Sequence, residues 1–290
     1  MDKIMNVLNS INLEVSTETF VVGGKTYGVE KKLAAGAFAD VFLVHTGGTK
    51  FVAKKQLLNE HTADVVKREI ALMKQFQHEN LVKFVGTAKV PQSSHVVIIM
   101  EYCHGGALFD LLAKRKPRGP LTERGIVKIF ADTCAGIKYM HDMNLAHWDI
   151  KLENILQGKD NKFKLCDFGS VMRCPLPCTT SSQWAALEEK IGQYTSESYR
   201  APEMCDNFGV SELTVKTDIW ALGSILYALC FFVIPFMNQG RLGVLNGKYN
   251  IPTGHKFSAN LITCIDRCFQ LRPEKRADIN EVHNALCAIG

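Results

Sequence analysis

Apolar positions along this chain change rhythm after about the first hundred residues. Up to Met100 they come in short runs of Val, Phe, Ile and Leu, and beyond "CHGGA" they recur at helical spacing. In the first part "YGVEKKLAAGAFADVFLVHT" predicts a hairpin, two strand-like runs around the turn-like "AAGA". "KFVAKKQL" predicts a third strand, and "LVKFVGTAKV" and "HVVIIMEY" predict two more, joined by the polar "PQSS". Among them "TADVVKREIALMKQF" sets Val66, Ile70 and Met73 at helical spacing, with Thr62 as the N-cap. Further on, "LTERGIVKIFADTCAGIKYMHDM" places Ile126, Ile129, Phe130, Ile137 and Met140 along one helical face behind Thr122. The pattern predicts an α+β chain of two lobes. A small β-rich lobe with one main helix leads, through a hinge near Glu101–Gly106, to a larger and mainly helical lobe. A cleft between lobes is a natural ligand site.

Composition sharpens this in a few places. With 290 residues, 47% of them hydrophobic, the chain can bury a sizeable core. Its formal charge of +5, from 34 basic and 29 acidic residues without long runs, gives no reason to expect nucleic acid as a partner. The 10 cysteines show no CxxC pair, which favours reduced thiols over a disulfide scaffold. "CPLPC", Cys174 to Cys178, has no second Cys/His pair at zinc-finger distance, so zinc is not expected. The N-terminus lacks the apolar core of a signal peptide, and Asp2 excludes N-myristoylation. The uncharged stretch Ile219–Phe236 is close to the ~18–20 residues of a membrane span. Pro235 near its end and the lack of a basic flank favour instead the buried central helix of a large core. The basic "KRKPRG", Lys114 to Gly119, reads as a solvated loop rather than a docking site for an acidic partner.

Five polar positions carry chemistry only when taken together: Lys55 ending "VAKK", Glu69 in "KREI", Asp149 and Asn154 in "HWDIKLEN", and Asp167 opening "DFG". With "SYRAPEM", "DIWALG" and Arg276 in "RPEKRADI", this ordered set resembles the eukaryotic protein kinases, from about Tyr27 to the C-terminus. Within them the chain looks most like the Numb-associated group, the adaptor-associated and cyclin-G-associated kinases. The signs are "LAAGAFADVFLV", "IIMEYCHGG", "KLCDFGS" and "YTSESYRAPEM". The resemblance implies an N-terminal extension over residues 1–26 and a kinase domain over 27–290, with lobes at 27–100 and 107–290 and the hinge at 101–106.

It further implies ATP and Mg²⁺ as cofactors and a role for each residue. Lys55 would hold the α- and β-phosphates and pair with Glu69. Leu33, Ala34, Ala35, Gly36 and Ala37 would form the loop over the phosphates, with Ala34 and Ala39 standing where the family has glycine. Val41, Ala53 and Leu156 would line the adenine pocket, with Met100 at its back, Cys166 facing it, and the backbone of Glu101 to Cys103 pairing with the base. Asn154 and Asp167 would hold the metal, Asp149 would orient the acceptor hydroxyl, and Lys151 would balance charge on the γ-phosphate. Lys151 and Ser196 match the Ser/Thr-directed pattern. The subgroup implies endocytic or membrane-traffic adaptors, clathrin-adaptor-type proteins among them, as substrates of a cytoplasmic monomer working at endocytic membranes. A pseudokinase scaffold, binding nucleotide or a partner without transfer, is the competing reading.

One position departs from the family. Trp148 stands where Arg usually precedes the catalytic Asp and binds a phosphorylated activation segment. Trp offers one N–H and no charge, so it cannot hold phosphate in that way. Activation by phosphorylation is therefore not expected, and other contacts must order the segment from Asp167 to Glu203. "SSQWAALEEKIGQY" within it sets Trp184, Leu187 and Ile191 on one face and predicts a short packed helix.

Overall fold

The computed structural model describes residues 18–36, 39–207, 209–237, 239–287 and 289. The first 17 residues, Asp2 among them, and Ala37 of the expected phosphate loop lie outside the described residues. The chain divides into two compact units, one of residues 1–70 and 84–102, the other of 71–83 and 103–290.

The first unit is an antiparallel sheet of β1 (Thr19–Val22), β2 (Lys25–Ala35), β3 (Ala39–Thr46), β4 (Thr49–Leu57), β5 (Phe84–Lys89) and β6 (His95–Glu101), in the order β1-β2-β3-β4-β6-β5. The first strand lies inside the stretch read as an extension. It pairs with β2 and brings Phe20 and Val22 onto Phe42, Val44, Ala53, Val97 and Ile99. The sheet curls far enough for Val22 to reach β5, where a Cβ at Gly86 would stand 2.7 Å from Val22 Cγ1. Burial of this face by β1 is why the strand forms: Val21 points to solvent while Phe20 and Val22 fill the core.

The helix α1 (Ala63–Gln75) begins in this unit, with Val66 and Glu69 buried. Thr62, expected to cap it, instead donates its hydroxyl to Leu57 O at 2.5 Å, and the turn is closed by Asn59 Oδ1, which accepts from the N–H groups of His61 and Thr62.

In the second unit α2 (Leu108–Arg115) precedes α3 (Glu123–His141), and Thr122 Oγ1 caps α3 by accepting from Gly125 N at 3.2 Å. Ile126, Ile129, Phe130, Ile137 and Met140 are buried along α3, as the spacing predicts. Then come α4 (Ser181–Tyr194), α5 (Pro202–Cys205), α6 (Lys216–Phe231), α7 (Gly240–Asn246), α8 (Ala259–Cys268) and α9 (Ile279–Cys287). Helix α6 is buried on every side from Thr217 to Cys230, so its apolar composition belongs to a protein core. Among the described residues no helix is long and apolar enough to cross a membrane. At Gly223 a Cβ would meet Cys268 Cβ at 2.7 Å, so glycine is what lets α6 and α8 approach this closely.

Short strand pairs fix the loops around this core. β7 (Gly106–Ala107), β9 (Ile155–Gln157) and β10 (Phe163–Leu165) form one small sheet, while β8 (Leu145–Ala146) pairs with β11 (Met172–Arg173) and β12 (Leu176–Pro177) with β13 (Glu212–Leu213). The stretch 71–83 is tied to β10 by Asn80, whose Nδ2 donates to Phe163 O at 2.8 Å and whose carbonyl accepts from Leu165 N.

Candidate active site

Strand parity decides what the first unit offers. The β3–β4 register sets Val41 opposite Lys54, Phe42 opposite Ala53 and Asp40 opposite Lys55. Directly paired residues share a face, so Lys54 lies with Val41, and Val52 lies with its β6 partner Met100 on that same face. Lys54 Nζ stands 2.7 Å from Glu69 Oε1 on α1, and Glu69 is 1% exposed.

Lys55 and Ala53 point to the other face, and this corrects two expectations. Lys55 does not pair with Glu69: its Nζ meets Glu18 Oε1 at 2.8 Å and lies over the Phe20 ring. Ala53 is fully buried in the cluster with Phe20 and Phe42 and does not share the face of Val41 and Met100. The physical reason is the two-residue period of a strand, which sends neighbouring side chains to opposite faces. In this loop Leu33, Ala34, Ala35 and Gly36 are exposed, and Gly36 N donates to Ala39 O at 2.9 Å. Glu101 ends β6 opposite Phe51.

In the second unit the turn "HWDIKLEN" is anchored from below by Asp218 on α6. This buried carboxylate accepts from His147 N at 2.7 Å, Trp148 N at 2.9 Å and His141 Nε2 at 3.0 Å. These bonds hold Trp148 at φ 67°, a conformation that costs a non-glycine residue about 1–3 kcal/mol when unsupported. His147 Nε2 donates to Cys166 O at 3.1 Å and its Nδ1 accepts from Asp149 N at 3.3 Å, a pattern that defines one tautomer. Ser170 Oγ donates to His147 O at 2.8 Å, and the rings of Phe168 and Phe76 meet edge to face at 5.0 Å.

Around Asp149 the expected residues do come together. Lys151 Nζ is 2.6 Å from Asp149 Oδ2, and Asn154 Nδ2 donates both to Asp149 O at 2.8 Å and to Oδ2 at 3.1 Å. Ser196 donates to Asp149 Oδ1 through both Oγ, at 2.7 Å, and its backbone N–H, at 3.1 Å, while Lys151 Nζ reaches Ser196 Oγ at 3.1 Å. Cys166 N donates to Asn154 O at 3.0 Å, which ties this cluster to the segment opening at Asp167. Asp167 itself is left-handed at φ 62°. Leu156 is half-buried in β9 opposite Ala107, and Cys103 is buried, its carbonyl accepting from Gly106 N.

The stretch from Asp167 to Glu203 is held by protein groups along its length. β11 pairs with β8 and β12 with β13, and Cys178 N donates to Ser211 O at 2.8 Å. Burial raises the thiol of Cys174 to about 12 and pushes that of Cys178 up, so both stay neutral. The predicted helix is α4. Thr180 and Gln183 close a capping box at its start, Leu187 and Ile191 are buried, and Trp184 is half-buried. At its end Arg200 donates from Nη2 to the carbonyls of Ile191 and Thr195 and from Nε to Thr195 Oγ1. Trp148 is 5% exposed, so a buried aromatic rather than a cation stands beside Asp149.

Sequence reasoning missed Lys54, Asp218 and Arg200 as positioning groups. The signal for Lys54 was the two-residue Gly47–Gly48 turn, which sets Thr46 opposite Thr49 and hence Val41 opposite Lys54.

A bilobed sequence pattern, a Lys–Glu pair on a strand and helix, and an Asp–Lys–Asn cluster on a turn before "DFG", joined by Ser196 from beyond it, together define a protein kinase domain. The family match agrees: the protein kinase domain covers residues 27–286, and the chain belongs to that family. It is 37% identical over 279 residues, 93% of this chain, to a probable serine/threonine-protein kinase of Dictyostelium discoideum, covering 25% of that protein. It is 35% identical over 267 residues, 89% of this chain, to the serine/threonine-protein kinase ppk30 of Schizosaccharomyces pombe, covering 28% of it. A second Dictyostelium discoideum protein, also described as a probable serine/threonine-protein kinase, is 32% identical over 98% of this chain and 37% of its own length. The chain thus spans about a quarter to a little over a third of these relatives.

Proposed function

We propose that the chain transfers the γ-phosphate of ATP to Ser or Thr hydroxyls of protein substrates. The observation that carries this is the arrangement at Asp149: one carboxylate held by Lys151, Asn154 and Ser196 at hydrogen-bond distance, on a turn anchored to the core by Asp218. An acceptor hydroxyl placed at Asp149 gives its proton toward that carboxylate as its oxygen bonds to the γ-phosphorus. The bond from that phosphorus to the β-phosphate oxygen breaks, and ADP leaves. Lys151 is placed to balance the charge gathering on the transferred group. Lys54, held by Glu69, takes the role at the α- and β-phosphates that sequence reasoning gave to Lys55.

The donor set fits magnesium. Asn154 commits its Nδ2 to Asp149, which leaves Oδ1 as a hard oxygen ligand alongside the carboxylate of Asp167. When bound there, Mg²⁺ neutralises phosphate charge. In the first unit Val41, Val52 and Met100 present one apolar face for adenine, and Leu33 to Gly36 supply the phosphate loop.

The finer reading is a kinase of the Numb-associated type acting on endocytic or membrane-traffic adaptors in the cytoplasm. The loop "LAAGAFADVFLV" and the "IIMEYCHGG", "KLCDFGS" and "YTSESYRAPEM" runs support it. The test is γ-phosphate transfer to a peptide array, with Asp149→Asn alongside. Loss of the carboxylate is expected to lower the rate by about 10²–10⁴-fold. Equal transfer by the variant and the wild type, or none by the wild type, would turn the reading toward a pseudokinase scaffold.

A further inference from the structure

We propose that Gln56 is a second positioning residue for Glu69, and through it for Lys54, an inference that rests on the phosphate role given to Lys54 above. Lys54 and Gln56 are two apart on β4 and so share a face. They divide one carboxylate between them. Lys54 Nζ stands 2.7 Å from Glu69 Oε1, and Gln56 Nε2 donates to Glu69 Oε2 at 3.0 Å. A carboxylate held at one oxygen can swing about that contact, whereas one held at both oxygens has its plane and its distance from the strand fixed. Gln56 therefore clamps the helix α1 to β4 at the position that presents Lys54.

The amide is kept there against its own interest. Gln56 is 7% exposed, and among the described residues its buried Oε1 has no hydrogen-bond partner. A Leu or Met would fill this space without stranding an acceptor. The orientation is dictated by Glu69, since turning the amide over would set Oε1 against the carboxylate. With Trp148 offering no cation to a phosphorylated segment, a fixed clamp on Glu69 inside the sheet unit gives the Lys54–Glu69 pair a means of staying formed without such a signal.

The test compares wild type, Gln56→Met, Lys54→Met and the double variant in calorimetric binding of Mg·ADP and of adenosine, with thermal melting of each. If Gln56 acts through Lys54 on phosphate, Gln56→Met weakens ADP by about tenfold, near 1.4 kcal/mol, and leaves adenosine unchanged. Its melting temperature is not lowered, and it adds nothing in the Lys54→Met background. ADP affinity equal to wild type would overturn the proposal. So would parallel losses of ADP and adenosine with a lowered melting temperature, because they would mark a merely structural amide. Should wild type bind ADP no better than adenosine, the phosphate role of Lys54 itself would be wrong, a failure distinct from that of the clamp.

Discussion

Lys54→Met is expected to lower γ-phosphate transfer by about 10²–10³-fold, while Lys55→Met stays within about threefold of wild type. The two lysines are neighbours in "VAKK", yet the strand sends them apart. Lys54 meets the buried Glu69 at 2.7 Å, and Lys55 meets Glu18 at 2.8 Å where both side chains are partly solvated. An ion pair of the second kind contributes about 0–1 kcal/mol. Removing Lys54 leaves Glu69 as a buried carboxylate held only by Gln56 among the bonds described above, and removes the cation proposed to meet phosphate. Steady-state rates for both variants, with ATP saturating and then limiting, separate the two sites. A larger loss from Lys55→Met than from Lys54→Met would mean that the β3–β4 register is one residue out.

A comparable effect on stability is expected at Arg276. Its guanidinium is fully buried and its two Nη atoms reach the two oxygens of Glu203 at 2.7 and 2.8 Å. It also donates to Lys216 O at 2.8 Å and Gln270 O at 2.9 Å, and it lies over the Trp220 ring at 5.3 Å. Arg276→Met would strand the Glu203 carboxylate and two carbonyls in the core of the second unit. Breaking such a pair costs about 3–5 kcal/mol, and at about 2–4 °C per kcal/mol the melting temperature should fall by roughly 10 °C. The double variant Arg276→Met, Glu203→Leu should recover part of that loss, because no charge is then left unpaired. Thermal melts of the three proteins check this. A single variant that melts with the wild type would show that the pair does not hold α5 to the end of the chain.

What could be read from the sequence was whatever repeats along an element. The apolar face of α3 and its Thr122 cap, the faces of α4 at Leu187 and Ile191, and the unbroken burial of α6 follow from spacing alone. The Asp149 cluster was legible through the kinase resemblance, because its members lie within a short turn and Ser196 arrives with a motif of its own. Parity was harder. "VAKK" offers two lysines of the same chemistry, and only the Gly47–Gly48 turn, with both residues at positive φ, sets which of them faces Glu69. The strand Thr19–Val22 was passed over because four residues carry little periodicity, and its burial depends on Phe42, Val97 and Ile99 far along the chain. The bonds from Asp218 to the backbone of His147 and Trp148 span some seventy residues, and no local pattern reports them.

The segment from Asp167 to Glu203 is held by its own contacts: the strand pairs at β11 and β12, the capping box at Thr180 and the Arg200 bonds at the end of α4, while a buried Trp148 stands beside Asp149. The most direct measurement is the initial rate of peptide phosphorylation by protein stripped with a phosphatase and shown by mass spectrometry to carry no phosphate, compared with the same protein after incubation with Mg·ATP. The expected rates agree within about twofold, since neutral Trp148 gains nothing from a charged segment. A stripped protein slower by about a hundredfold, with activity restored by phosphorylation between Asp167 and Glu203, would contradict it.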